Sequence, residues 1–152
     1  MSIYLDITPD GVDVAIEGLS RLDGVHPADL LEVTGAVIES QTRRRLSEEK
    51  RTPDGEPWRE WGKRYARTRK PHHKLLENDG DLIASIDHLI NGGSELLVGS
   101  ALPYARRQND GDDNPDPDRG IPARTYIGMS PDGRAEVMEV IMDFIRSTLA
   151  SK

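Results

Sequence analysis

Cysteine is absent from the 152 residues, so the chain has no disulfide framework and no thiolate chemistry, which fits a reducing cytosol. Aromatic residues are scarce: they make up 5% of the chain, and Phe144 is the single Phe. Hydrophobic residues amount to 36% and charged residues to 31%. A domain of this length buries roughly 70% of its unfolded surface. We therefore expect one domain over residues 1–152, with part of its apolar surface buried against a partner.

Long apolar runs are absent as well. No run approaches the ~18–20 residues that span a bilayer. Residues 1–7 lack the basic region and the apolar core of a signal peptide. We therefore expect no membrane segment, and a cytoplasmic protein when it is made.

The net charge of −7 is unevenly distributed. Residues 43–74, here called the basic segment, hold twelve Lys and Arg against five Asp and Glu, a net charge of +7. The rest of the chain therefore carries −14. A basic patch on an acidic body can contact nucleic acid or the acidic face of another copy of the same chain.

Residues 109–120, here called the acidic loop, contain five aspartates, two prolines and two glycines, and no apolar side chain to bury. Such a segment cannot offset the entropy lost on ordering, so it is predicted to be mobile. It separates two ordered-looking pieces, residues 104–107 and residues 121–128. That arrangement is typical of a protein that meets neighbours.

The secondary structure follows from periodicity. Alternation over residues 1–7 predicts a strand, whereas residues 12–22 fit either a returning strand or a short helix, of which we expect the helix. A helix is predicted from Pro27, with its first half packed on a sheet and its polar second half, residues 41–50, projecting. Residues 63–74 show no usable period and are predicted to be an extended basic loop.

The second half of the chain adds a hairpin and a helix. Residues 86–90 and 95–98 flank Asn-Gly-Gly-Ser and predict a β-hairpin. Apolar residues recur at helical spacing between Val137 and Leu149. The predicted fold is α+β: two packed helices on a small, mainly antiparallel sheet, with the basic segment and the acidic loop as two long polar excursions.

Catalytic and metal chemistry find little support. The serines lie in no nucleophile elbow, and the histidines are expected to be surface or turn residues (His26, His72, His73 and His88). Asp110-x-Asp112-x-Asn114 begins like a calcium loop, but Pro115 and Ile121 stand where Gly and Glu are needed. We expect no catalytic, cofactor or metal site.

The basic segment leaves three functions open. Trp58, Trp61 and Tyr65 lie among arginines, a mixture that single-stranded nucleic-acid sites use. The acidic remainder of the chain would repel the same polyanion. Direct DNA binding, a contact with another subunit, and a solvated arm are therefore the alternatives.

Trp58 is expected to be an anchor in a pocket or a core residue. Arg124 is expected to be an exposed strand charge or half of a salt bridge across an interface.

Four motifs together resemble the virion morphogenesis, or tail completion, family of Mu-like phages and prophages. They are Thr52-Pro-Asp-Gly-x-x-Trp58, Leu76-x-x-x-Gly80-x-Leu82-x-x-Ser85-Ile86, Val98-Gly-Ser100 with Tyr104-Ala105, and Ile121-Pro-Ala-Arg-x-x-x-Gly128. Their order and spacing match, although the family's His-containing run after Tyr-Ala reads Arg106-Arg107-Gln108-Asn109 here. An aromatic residue that often precedes the Pro-Asp-Gly turn is also replaced by polar residues.

The resemblance implies a non-enzymatic structural protein of the virion neck or upper tail, which completes the tail and joins head to tail. Its implied partners are copies of itself in a ring, commonly sixfold, and other neck, connector or tail proteins. DNA would pass through the channel without sequence-specific binding, and no cofactor, membrane or small-molecule substrate is implied. Trp58, Tyr104, Arg124 and Tyr126 are implied as fold or interface anchors. The alternative is a nucleic-acid-binding accessory protein that uses residues 43–74.

Overall fold

The computed structural model describes residues 3–6, 22–112, 114, 116 and 119–151. The prediction for residues 12–22 therefore lies outside the described residues, except for Leu22. The elements in chain order are β1 (Ile3–Asp6), α1 (Pro27–Arg44), α2 (Lys63–Ala66), α3 (Asp81–Ala84), β2 (Ile86–Asn91), β3 (Glu95–Ser100), α4 (Ala105–Asp110) and α5 (Pro131–Ala150). One turn of π-helix, Arg45–Glu49, continues α1.

The sheet has three antiparallel strands in the order β1-β3-β2. The predicted hairpin is confirmed: β2 pairs with β3 from Ile86 opposite Ser100 to Asn91 opposite Glu95. Gly92 and Gly93 make the turn with φ of 59° and 75°, a backbone region that favours glycine. β1 pairs with the other edge of β3, so the N-terminal strand prediction is also confirmed.

Two long helices cover one face of the sheet. Pro27 is the first residue of α1 and Asp29 lies in its first turn, where the helix dipole favours an acid. A core cluster joins α1, β3 and α5, and its buried members are Leu31, Ile38, Leu96, Val98 and Val137. The α+β fold with two packed helices on an antiparallel sheet is therefore confirmed.

The second half of α1 does not project, and that prediction is wrong. Gln41, Thr42 and Arg45 are buried because each polar side chain has an internal hydrogen-bond partner. Gln41 Nε2 donates to Gly133 O of α5 at 2.9 Å, and Thr42 Oγ1 donates to Ile38 O at 2.8 Å. The polar composition of residues 41–50 therefore does not indicate solvent exposure.

The helix ends at Lys50, whose φ of 53° is left-handed. Its ammonium group donates to Leu46 O, to Leu75 O at 3.0 Å and to Glu77 Oε2 at 3.1 Å. A cation at this place satisfies carbonyl groups that the helix end leaves free. Lys50, near the start of the basic segment, therefore attaches that segment to the core.

The predicted loop over residues 63–74 contains one helical turn, α2, and several tight turns. Thr68 N donates to Tyr65 O at 2.9 Å and His73 N to Lys70 O at 3.0 Å. The expected fully extended course is therefore wrong, although most side chains of this stretch are exposed. Among the residues that the structure describes, no helix combines the length and the apolar character needed to cross a membrane.

Candidate functional site: a cleft beside the basic segment and the acidic loop

The sequence motifs that lie far apart in the chain meet in one place. Trp58 is buried, and its Nε1 donates to Thr125 O at 2.9 Å, which ties the Pro-Asp-Gly turn to the stretch that ends at Gly128. A Cβ on Gly128 would lie 2.6 Å from Pro53 Cγ, and Gly128 has a φ of +151°. Only glycine fits this close approach without a backbone shift.

The remaining two motifs join the same cluster. Ser85 Oγ and Ser100 Oγ lie 2.7 Å apart, and Tyr126 donates its hydroxyl proton to Ala105 O at 2.8 Å. Burial raises the pKa of the Tyr126 phenol far above its ordinary value, so this hydroxyl stays a donor. The buried side chains of the cluster are Leu46, Trp58, Leu75, Leu82, Ile86, Ala105, Tyr126 and Ile127. These motifs therefore hold the fold together around the site.

Two buried polar residues that sequence reasoning missed position the loop before Gly128. Arg45 Nη1 donates to Tyr126 O at 2.8 Å and to Gly128 O at 3.1 Å. Asn109 Oδ1 accepts from Tyr126 N at 2.9 Å and from Ile127 N at 3.0 Å. Asn109 is thus a buried residue at the end of α4, so the predicted mobility of residues 109–120 is wrong for this residue. Neither role has a signal in local sequence, because the partners lie far along the chain.

A cleft of about 610 Å³ lies between these elements, and both the basic segment and the acidic loop line it. Arg124 joins the two sides: its Nε donates to Arg59 O at 2.9 Å and its backbone N–H to Gln108 O at 3.2 Å. The two sides of the cleft are therefore linked within the folded chain through Arg124.

One wall of the cleft is a cationic and aromatic cluster. The rings of Trp61 and Tyr65 lie 6.4 Å apart, edge to face. The Arg69 guanidinium lies 5.5 Å from the Trp61 ring and 5.2 Å from the Tyr65 ring. It also donates to the Tyr65 hydroxyl at 3.0 Å and to Asn78 Oδ1 at 2.6 Å. These contacts fix a positively charged wall.

The other wall carries Asp112 of the acidic loop. Asp112 Oδ1 accepts from Ile121 N at 2.8 Å, and Arg107 Nε donates to Asp112 Oδ2 at 3.1 Å. The Ile121 N–H first, and then the Arg107 side chain, hold the pKa of Asp112 below its ordinary value. The carboxylate therefore stays charged at neutral pH.

The four predicted anchor residues have different positions. Trp58 and Tyr126 are buried in the cluster, so the chain itself covers their side chains. Tyr104 lies on the rim of the cleft with 43% of its surface exposed. Its pKa is raised, mainly by burial and then by Asp81 and Asp79, so the hydroxyl is neutral and can donate.

Arg124 is placed differently from the prediction. It lies on no strand, and its side chain is buried, with only 5% of the residue exposed. Within the chain, its partners are the backbone carbonyls of Arg59 and Glu60. Burial lowers the pKa of its guanidinium, but the group's ordinary pKa is so high that it stays charged.

His88 is also placed differently from the prediction. It is half-buried, with Nδ1 2.6 Å from Glu39 Oε2 and Nε2 3.1 Å from Glu32 Oε1. Burial lowers the pKa of its imidazole, but the two carboxylates outweigh burial and raise it overall. His72 and His73 form an edge-to-face pair 4.5 Å apart on the surface of the basic segment.

The comparison with protein families gives one match. A model of the phage virion morphogenesis family matches residues 8–146. No curated protein and no solved structure matches the chain significantly. The matched residues include every motif that meets in the buried cluster and every residue that lines the cleft. The chain therefore belongs to the phage virion morphogenesis family.

Proposed function

We propose that the protein is a structural subunit of the phage virion that completes the tail or neck and joins head to tail as a member of a ring around the DNA channel. Family membership indicates a role in building the virion. The cleft is the observation that supports the ring, because it presents a cationic wall, an acidic wall and the accessible Tyr104 on one surface.

A ring requires a heterologous interface, in which one surface of a subunit binds a different surface of the next. The cleft is concave and mixed in charge, and the remainder of the chain is acidic. A convex acidic surface on a neighbour fits the wall formed by Trp61, Tyr65 and Arg69. Opposite charges on two such surfaces set the register and speed up association.

The partners in this proposal are copies of the chain and other neck, connector or tail proteins. DNA passes through the channel without sequence-specific contacts. The proposed location of the protein is the neck or upper tail of the assembled virion, and assembly takes place in the host cytoplasm. The proposed role is binding and not catalysis.

Tyr104 provides the test. Tyrosine is enriched among the interface residues whose truncation weakens binding by about 2 kcal/mol or more. Tyr104→Ser is therefore expected to weaken self-association at least tenfold while the circular dichroism spectrum stays unchanged. Light scattering after size exclusion measures the association, and complementation of a phage lacking the protein measures joining, with unjoined heads and tails expected for the variant.

Tyr4→Ser is the matched control, because Tyr4 is a similarly exposed tyrosine on the edge strand β1 and does not line the cleft. It is expected to associate and to join particles normally. Normal joining by Tyr104→Ser would show that the cleft is not the interface. A wild-type chain that remains monomeric both alone and in particles would contradict the ring itself.

Nucleic-acid binding is the second candidate, and the cationic and aromatic wall is the observation in its favour. However, the Arg69 guanidinium already lies over one face of the Trp61 ring and one face of the Tyr65 ring, so fewer ring faces are left to stack on bases. A titration with single-stranded DNA at two salt concentrations separates the two functions. Tight binding that falls steeply with salt, as phosphate counterions are released, would favour the accessory protein.

A further inference from the structure

His88 lies in a group of potential metal ligands between α1 and β2. Glu39, Asp87 and His88 each offer a ligand atom, and these atoms all lie within 4.8 Å of one another. The His88 and Glu39 side chains are only 13% and 14% exposed, whereas Asp87 is exposed to solvent. One imidazole nitrogen with two carboxylates is a ligand set suited to Zn²⁺ and related transition metals.

The imidazole is held in place by groups outside that trio. Glu32 Oε1 lies 3.1 Å from Nε2, the ring nitrogen that points away from Glu39. A carboxylate on the second nitrogen is the usual arrangement for a metal-binding histidine, because it fixes the orientation of the ring and makes the ligand more basic. Gly35 leaves room for the ring: a Cβ there would lie 2.4 Å from His88 Cδ2. The ring is thus held with Nδ1 facing Glu39, and the Asp87 carboxylate, which accepts from the His88 backbone N–H at 2.9 Å, lies beside it.

We propose that Glu39, Asp87 and His88 bind one divalent transition-metal ion, such as Zn²⁺, which fastens α1 to β2. The ion replaces the proton between His88 Nδ1 and Glu39 Oε2, as metals do on histidine ligands. Zinc with bonds of about 2.0–2.2 Å holds its ligand atoms roughly 3.4 Å apart, so the side chains, whose ligand atoms lie within 4.8 Å of one another, must adjust when the ion binds. Water fills the remaining position.

The charges around the group set the expected strength. Arg43 Nη1 lies 2.6 Å from Glu39 Oε1 and donates from Nη2 to Ile86 O at 2.7 Å. It therefore occupies one oxygen of Glu39 and leaves the other facing the ring. A nearby cation also repels the ion, so we expect micromolar rather than nanomolar affinity. Mg²⁺ and Ca²⁺ are expected to bind poorly, because they need more oxygen ligands.

Isothermal titration of the full-length, metal-free protein with ZnCl₂ tests the proposal. One ion per chain is expected, with a rise in the unfolding temperature that saturates at the same ratio. Asp87→Asn and His88→Gln are each expected to weaken zinc binding at least tenfold. Glu32→Gln is expected to weaken it about tenfold through the orientation of the ring.

The surface pair His72 and His73 provides the matched control. The double variant His72→Gln/His73→Gln is expected to bind zinc like the wild type. Zinc binding that is lost in this control but kept in Asp87→Asn would overturn the proposal, as would no binding to the wild type. Because Asp87 is exposed, Asp87→Asn is expected to fold normally. Its zinc binding therefore tests the proposal even if His88→Gln fails to fold. The outcome does not depend on the proposed assembly function.

Discussion

At the scale of single residues, the adjacent Arg44 and Arg45 have different roles: Arg45 is buried and structural, whereas Arg44 is a surface charge. Arg45 is 2% exposed and donates to the backbone oxygens of Tyr126 and Gly128. Arg44 is exposed and pairs with Glu49 and Glu136 at 3.1 and 3.3 Å. Such exposed pairs contribute little, whereas buried charged donors are costly to remove.

We therefore expect Arg45→Ala to lower the free energy of unfolding by about 3 kcal/mol, because it leaves buried carbonyls unpaired and a cavity behind. Arg44→Ala is expected to cost less than about 1 kcal/mol. Urea unfolding of both variants measures the difference. Arg45→Met, which keeps most of the packing volume, distinguishes lost hydrogen bonds from lost packing. Equal costs for Arg44→Ala and Arg45→Ala would show that Arg45 is not a structural residue.

The position of Arg124 changes which substitution can test the interface. Because its guanidinium supports the backbone at Arg59 and Glu60, Arg124→Glu would disturb the cleft from within. A loss of joining in that variant would not distinguish a lost contact from a damaged fold. Tyr104 is accessible and lies on the rim, so its substitution tests binding more directly.

At the scale of elements, the two long helices begin differently. Ser130 caps α5, and its side chain accepts from Gly133 N at 2.9 Å. His26 precedes α1 with an extended backbone, φ −97° and ψ 133°, and its side chain makes no capping bond. Serine is among the preferred N-cap residues because its oxygen satisfies a free N–H of the first turn.

Ser130→Ala is therefore expected to lower the free energy of unfolding by about 1 kcal/mol. His26→Ser is expected to raise it by up to about 1 kcal/mol, because His26 is exposed and its backbone already has the N-cap conformation. Chemical denaturation measures both. A destabilised His26→Ser variant would indicate that the His26 side chain makes a contact of its own that the cap does not replace.

The elements with strong local signals could be predicted from the sequence. The hairpin around Gly92 and Gly93 and the apolar stripe of α5 depend on neighbouring residues, so their patterns are visible in the chain. The polar end of α1 was misinterpreted because Gln41 finds its partners on α5, 92 and 95 residues away. Composition describes a side chain's cost of burial but not the distant partner that offsets it.

The candidate site shows the same limit. Both polar segments were expected to take part in assembly, but their meeting at one cleft depends on Arg124, which reaches a carbonyl 65 residues away. His88 was expected to be a surface residue because its carboxylate partners lie 49 and 56 residues distant. Long-range pairing of this kind leaves no spacing motif in a single sequence.

At the scale of the whole molecule, the basic segment divides into two parts. Arg45 and Trp58 are buried, and Lys50 holds carbonyls of the core, so the first part belongs to the folded domain. Residues 62–74 are mostly exposed and carry Tyr65 and Arg69 of the cationic wall of the cleft. We therefore expect any ordering on assembly to involve this outer part and the acidic loop, and not the first part.

Hydrogen exchange can separate the two parts. Exposed turns with few buried contacts open at little free-energy cost, whereas core amides open only with the domain. In free subunits we expect rapid exchange over residues 62–74 and in the acidic loop after Asp112, and slow exchange in α1 and at Gly111 and Asp112, whose N–H groups donate to Arg107 O and Ile121 O. In assembled particles the two outer segments are expected to become protected, while α1 changes little. Protection that rises across the domain would instead indicate folding coupled to assembly, and unchanged exchange in both segments would place the subunit contact elsewhere.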